Sequence, residues 1–234
     1  MRSKLSFVIT GTSRGIGYAL AKHFLECGHK VFGCSTGTAP MSHPKYTHFS
    51  LDLSNHETVM EFVKFIRKNS QFIDVLINNA AINPLIVPAV LLPTDTMHKV
   101  FNVNVITPMI LCREMVKLMK KNNFGRIINI GSMATRHEVA GEAMYTASKA
   151  AMNSYTKVLS KEVYQFGITA NIIAPSVVKT DLSDKINQVA LNEILRRNAI
   201  QSFGNVTDVI NVIDFLIDEN SSTITGQLLY LGGV

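Results

Sequence analysis

Residues Leu5-Ser6-Phe7-Val8-Ile9-Thr10-Gly11-Thr12-Ser13-Arg14-Gly15-Ile16-Gly17 decide the fold. A short apolar run feeds straight into a glycine loop, and a helix-period stretch, Gly15–Glu26, follows at once. Each glycine has a physical task. Gly11 allows the sharp strand-to-helix turn, Gly15 lets the backbone approach a pyrophosphate, and Gly17 permits close helix–strand packing. The helix N-terminus then presents free N–H groups and a positive dipole end to phosphates. The spacing is G-x-x-x-G-x-G, not the usual G-x-G-x-x-G, and glycine turns after strands are common, so the loop alone does not settle a nucleotide site.

Outward from this unit the alternation continues. Further strands are predicted at Lys30–Cys34, Tyr46–Ser50, Asp74–Asn78, Arg126–Gly131, Ile168–Ile173 and Gln227–Leu231, after a first strand at Lys4–Thr10. Between them lie helical patterns at His56–Lys68, Thr96–Lys121, Ala143–Gln165 and Thr207–Asp218. Several strands are continuous apolar runs, as both-face burial demands. The expectation is a doubly wound α/β fold, a Rossmann-type seven-stranded parallel sheet with helices on both faces. With no repeat or linker, residues 1–234 read as one domain. The segment 176–205 has no clean period and is expected to form a flap over the substrate.

Composition narrows the function. The chain has 234 residues, 47% hydrophobic and 17% charged, which excludes disorder. No apolar run approaches the roughly 20 residues of a membrane span. Leu5–Ile9 is too short for a signal-peptide core. Cys27, Cys34 and Cys112 have no C-x-x-C spacing and read as reduced thiols. No membrane partner and a cytoplasmic location follow as expectations. The net charge of +6 is scattered, with Lys120–Lys121 and Arg196–Arg197 as the densest clusters, and there is no Trp. That argues against a nucleic-acid partner and suits phosphorylated small molecules. His43 and His48 have no acid at ligand spacing, so no metal is expected.

An NAD site usually has an Asp or Glu about 20 residues past the glycines to hold the ribose 2′-hydroxyl. Here the end of strand two reads Gly33-Cys34-Ser35-Thr36-Gly37, without an acid, while Arg14 sits inside the glycine loop. A guanidinium can clamp a 2′-phosphate that a carboxylate would repel, which favours NADP(H). Further along, Tyr145 and Lys149 stand at i and i+4, so both project from one helix face. A free phenol titrates near 10, and a neighbouring ammonium is expected to lower that and make Tyr145 a proton shuttle. Y-x-x-x-K alone recurs by chance on many helices.

The motif is not alone. TGTSRGIG at 10–17, Asp52-Leu53, Asn78-Asn79-Ala80-Ala81, Asn104, Ser132, Tyr145-x-x-x-Lys149, and Pro175 with Thr180 occur in this order. In this the chain resembles the short-chain dehydrogenase/reductase family over nearly its whole length. The nearest branch in pattern is the 3-oxoacyl-[acyl-carrier-protein] reductases, on chain length, the SRGIG loop and the terminal Thr225-Gly226-Gln227.

The resemblance implies an enzyme that reduces a small-molecule or carrier-bound carbonyl, a 3-oxoacyl thioester or another ketone, sugar-derived or polyketide carbonyl. It implies Tyr145 as proton donor to the carbonyl oxygen, Lys149 on the nicotinamide ribose, Ser132 on the substrate oxygen, and Asn104 holding a water that links Lys149 to solvent. The implied cofactor contacts are Gly11, Ser13, Arg14, Gly15, Ile16, Gly17, Ser35, Thr36, Leu53, Ala80, Ala81, Tyr145, Lys149, Pro175 and Thr180. To these are added Asp52 on the adenine amine, Asn79 near the ribose and the Val178 backbone on the carboxamide. It also implies a homotetramer or homodimer through the Asp95–Lys121 and Ala143–Gln165 helices, where Ala147, Ala150 and Ala151 permit close approach.

Departures from the family pattern are Ser176 and Ala81 where glycine is usual; both add atoms beside the nicotinamide. The apolar Pro84–Pro93 stretch reads equally as pocket lining or packing, and Met115, Val116 and Met119 as core or subunit contact. A non-catalytic NADP-binding protein is the competing reading; such a protein has no need of Ser132, Tyr145 and Lys149 together.

Overall fold

Strand β1 (Ser6–Thr10) is buried along its whole length and lies at the centre of the molecule. In the computed structural model, which describes residues 4–84, 86–179, 192 and 195–233, it is flanked by β2 (Lys30–Ser35) on one side and β4 (Val75–Asn78) on the other. With β3 (Tyr46–Ser50), β5 (Gly125–Ile130), β6 (Ile168–Ala174) and β7 (Leu228–Tyr230) the sheet has seven parallel strands in the order β3-β2-β1-β4-β5-β6-β7. This is the doubly wound Rossmann arrangement read from the sequence. Its order reverses beside β1, which opens a crevice at the strands' carboxyl ends.

The period-2 alternation of the strands divides the core. Val8, Phe32, Leu76, Ile127 and Ala170 face one layer, formed by α2 (His56–Asn69), α4 (Thr107–Met119) and α6 (Ala143–Val163). Phe7, Ile9, Val31, Val75, Ile77, Ile128 and Ile173 face the other, under α1 (Gly15–Glu26) and α7 (Val206–Ile217). Both faces of the sheet are covered, which is why the strands read as unbroken apolar runs. The helices start where local chemistry dictates. Asn55 Oδ1 accepts from the Glu57 and Thr58 N–H groups ahead of α2, and Asn205 with Asp208 forms a capping box ahead of α7.

The long helix expected at Thr96–Lys121 is interrupted. α3 (Thr94–Phe101) leads into a π-helical turn at Asn102–Ile106 before α4 begins. Pro108 explains the break: it has no N–H to give the carbonyl four residues back, that of Asn104, and its ring crowds that carbonyl. A short helix, α5 (Ala134–His137), follows β5 and was not anticipated. Met115 and Met119 are fully buried core residues, and Val116 packs partly buried against them.

Candidate active site

The crevice at the carboxyl ends of β1, β2, β4, β5 and β6 is a cavity of about 460 Å³. At one end lies the glycine loop. Gly11 and Gly15 have φ of +74° and +57°, conformations that glycine adopts without strain. A Cβ on Gly17 would collide with the Gly11 carbonyl, so this position is held to glycine by packing. The loop is tied down from two sides. The N–H groups of Gly11 and Thr12 donate to the Cys34 carbonyl at 2.8 and 3.1 Å. The Asn79 amide donates to the carbonyls of Thr10 (2.9 Å) and Gly11 (3.3 Å), while the Asn79 and Ala80 N–H groups both donate to Thr10 Oγ1 at 3.0 Å.

Ser13 and Arg14 are exposed on the outer side of this loop, with Arg14 at the N-cap of α1. Facing them are Ser35 and Thr36 at the end of β2, and Asp52. Asp52 Oδ1 accepts from the Ser54 N–H and hydroxyl, both at 2.8 Å; these bonds, with the nearby Lys99, hold its carboxyl below the usual range. Beneath the β2 end runs a hydrogen-bonded chain. The Thr12 and Tyr46 hydroxyls meet at 2.8 Å, Tyr46 meets His48 Nδ1 at 2.9 Å, and His48 Nε2 meets the Gly37 carbonyl at 2.9 Å. Because that carbonyl only accepts, Nε2 carries the hydrogen. A Cβ on Gly33 would press into this chain, 2.7 Å from Thr12 Oγ1.

At the other end, α6 presents Tyr145 and Lys149, 9% and 4% exposed. The Tyr145 hydroxyl interacts with that of Ser132, and Ser132 Oγ accepts from the Ala134 N–H at 3.1 Å. Lys149 Nζ donates to the Ile130 carbonyl at 2.7 Å and lies 5.7 Å from the centre of the Tyr145 ring. Burial pushes the Tyr145 phenol up to about 12; Ser132 draws it down and Glu142 pushes it further up. Burial brings Lys149 down to about 8. The expected lowering of Tyr145 by Lys149 is not found: Ser132 supplies the lowering, desolvation outweighs it, and the Lys149 ammonium is turned toward the Ile130 carbonyl.

Asn104 does not line the cavity. Its Oδ1 accepts from the Ile82 N–H, and its amide donates to the Ile82 carbonyl, all at 2.9 Å, and to Ser148 Oγ at 3.1 Å. Ser148 in turn donates to the Tyr145 carbonyl at 2.7 Å. The side chain thus rivets α6, between its two reactive residues, to the segment after β4.

The cavity brings together all the predicted residues except Gly17, which packs behind the loop, Asn104, which works from behind α6, and Thr180, which lies outside the described residues. Most of the predicted flap also lies outside them; its Ser176–Val178 start lines the cavity, and Val178 bridges to Gly204. The structure adds residues that the motifs did not reveal: Lys99 near Asp52, and Asn83, His137, Val139 and Glu142 around Tyr145. The sequence signal for Glu142 is its position three residues before Tyr145, which says nothing of its burial. Among the described residues no group of three or more His, Cys, Asp or Glu is arranged to hold a metal, and no helix is long and apolar enough to cross a membrane.

Comparison with known proteins agrees with this geometry. The chain is 33% identical over 232 residues to the 3-oxoacyl-[acyl-carrier-protein] reductase FabG of Rickettsia felis, covering 97% of this chain and 94% of that protein. It is 32% identical over 233 residues to the FabG of Buchnera aphidicola subsp. Acyrthosiphon pisum, with 96% and 94% covered. Among solved structures, 4-hydroxyisoleucine dehydrogenase complexed with NADH superposes with a TM-score of 0.91 at 29% identity, over 98% of both chains. ElxO with NADP bound superposes with a TM-score of 0.87 at 28% identity, over 97% of both. The sequence model of the short chain dehydrogenase family matches residues 6–190. On the fold, the cleft and these matches together, the chain is an oxidoreductase of the short-chain dehydrogenase/reductase family.

Proposed function

We propose that residues 1–234 act as one catalytic domain, an NADPH-dependent reductase that converts a carbonyl to a secondary alcohol with Tyr145 as proton donor. The observation that carries this reading is that Ser132, Tyr145 and Lys149 meet at one end of a single cavity whose other end is the glycine loop.

The residues present fit a dinucleotide: a glycine loop in which a side chain at 17 would not fit, a helix N-terminus behind it, and a cavity reaching to Lys149. When bound, the reduced nicotinamide supplies hydride to the carbonyl carbon. Tyr145 gives its proton to the carbonyl oxygen as the C=O π bond breaks, and Ser132 donates to the same oxygen. Lys149 would hold the nicotinamide ribose, and Asn104 would hold a water that links Lys149 to solvent. Gly11, Ser13, Gly15, Ile16 and Leu53 bed the adenosine end with Asp52; Asn79, Ala80 and Ala81 follow the ribose. Pro175 and Val178 would hold the carboxamide, and the family pattern adds Thr180, which lies outside the described residues. Arg14, Ser35 and Thr36, with no acid at 33–37, form a cradle for a 2′-phosphate, which supports NADPH over NADH.

The curated relatives' activity makes a 3-oxoacyl thioester the first substrate class to test, with other ketones, sugar-derived and polyketide carbonyls beside it. The three free cysteines support a reducing, cytoplasmic setting. A homodimer or homotetramer through α4 and α6 is supported by exposed Ala147 and Ala150 and by Val158, 56% exposed, on one face of α6. The test is cofactor consumption, with NADPH and NADH in parallel, over acetoacetyl thioesters, diketones, quinones and keto-sugars. Carbonyl-dependent oxidation of NADPH is expected; oxidation with none of them refutes the assignment.

A further inference from the structure

Two acidic residues line the cavity among the described residues. Asp52 lies at the adenosine end; Glu142 lies at the reactive end, 7% exposed, three residues before the proton donor. The proton and hydride chemistry has no task for it. Its carboxyl interacts with Asn83, also a lining residue, and no cation among the described residues forms an ion pair with it. Burial pushes its pKa up, and Asn83 pulls it back.

The other polar side chains nearby are occupied. His137 Nε2 meets Asn198 Oδ1 at 2.8 Å, and the Asn198 amide donates to Ser176 Oγ at 2.7 Å. Met133, Val139 and Val177 supply apolar walls. A buried carboxyl with one neutral partner and no counter-charge is costly, and it raises the phenol next to it, so it is a liability unless a ligand satisfies it.

We infer that Glu142 selects the substrate: its carboxyl accepts a hydrogen bond from a hydroxyl or ammonium group carried within a few bonds of the substrate carbonyl, and it repels substrates that bring a carboxylate there. The inference rests on the carbonyl-reductase reading and refines it toward hydroxy- and amino-ketones. Glu142 caps the start of α6 three residues before Tyr145, and both line the same cavity, so a single small molecule can touch both. A site built around an acceptor discriminates against the analogue that lacks the donor, because its own polar group is then left unpaired. Any effect of Glu142 on the Tyr145 proton is common to all substrates and cancels in a ratio of substrates.

The test compares kcat/KM of the full chain, with NADPH, for 4-hydroxy-2-butanone, 2-pentanone, 4-amino-2-butanone, acetoacetate and an acetoacetyl thioester. The first two differ by one hydroxyl in place of one methyl. The wild type is expected to prefer 4-hydroxy-2-butanone to 2-pentanone by about tenfold or more, mainly through KM. Glu142→Gln keeps the volume and an acceptor while removing the charge. Relative to 2-pentanone, it is expected to lower 4-amino-2-butanone and raise acetoacetate, each by about tenfold. Glu142→Leu is expected to abolish the preference for the hydroxyketone; if that variant does not fold, the Gln ratios decide. Equal use of 4-hydroxy-2-butanone and 2-pentanone by the wild type, or ratios unchanged in Glu142→Gln, overturns the inference. So does turnover of the thioester alone, which leaves the reductase reading intact. Inertness toward every carbonyl overturns that reading as well.

Discussion

Replacing Lys149 with methionine removes a buried ammonium while keeping an unbranched chain of similar length. Lys149 is 4% exposed, and burial brings it from about 10.5 down to about 8. That difference corresponds to roughly 3 kcal/mol by which the folded state disfavours the charged form. Against this stands the bond from Nζ to the Ile130 carbonyl, 2.7 Å, whose loss costs about 1–2 kcal/mol. The balance at pH 7 is a gain of about 1–2 kcal/mol, a rise in Tm of roughly 2–8 °C for a chain of this size. The sign with pH follows from the direction of the shift. Below about 8 both folded and unfolded wild type hold the proton, and the wild type carries the full penalty. Between about 8 and about 10.5 the folded state sheds the proton while the unfolded state keeps it, so wild-type stability rises with pH. The advantage of Lys149→Met should therefore close across that window and reverse above it. Urea melts at pH 7 and pH 10, with turnover measured alongside, read both effects: a more stable and inactive variant at pH 7. A variant less stable than wild type at pH 7, or a gap that does not change with pH, would refute the reasoning.

Arg14→Ala should weaken NADPH binding about tenfold, roughly 1.4 kcal/mol, and leave NADH nearly unchanged; titration of both cofactors by fluorescence checks it, and wild-type affinities that are equal contradict the NADPH assignment. Gly33→Ala should destabilise by about 1–3 kcal/mol, since the new methyl presses on the Thr12 and Tyr46 hydroxyls, and it should loosen NADPH binding by disturbing the Gly37 loop; a melt and a cofactor titration read the two effects.

Much of this architecture was legible because period and glycine punctuation reflect sheet burial directly. The seven strands and α1 follow from runs such as Phe7-Val8-Ile9 and from Gly15, and the structure shifts their ends by one or two residues. The break at Asn102–Ile106 was not read, although Pro108 encodes it: the apolar period continues through the break, and only the missing N–H at 108 marks it. The Tyr145–Lys149 spacing placed both residues on one face, but spacing carries no information on desolvation, which depends on what β5 and α5 place around them. Glu142 was passed over for the same reason. A carboxylate at a helix start reads as solvated until the Asn83 and Val139 segments are seen to enclose it.

The central claim, that Tyr145 is the proton donor of a carbonyl reduction, is tested most directly by the turnover of Tyr145→Phe. Phenylalanine keeps the ring and its packing and removes only the hydroxyl, which interacts with Ser132. The account predicts NADPH affinity within about twofold of wild type and a fall in kcat of roughly 10²–10⁴-fold, the size of a lost general acid. Near-normal turnover by Tyr145→Phe, on any carbonyl that the wild type reduces, would contradict it.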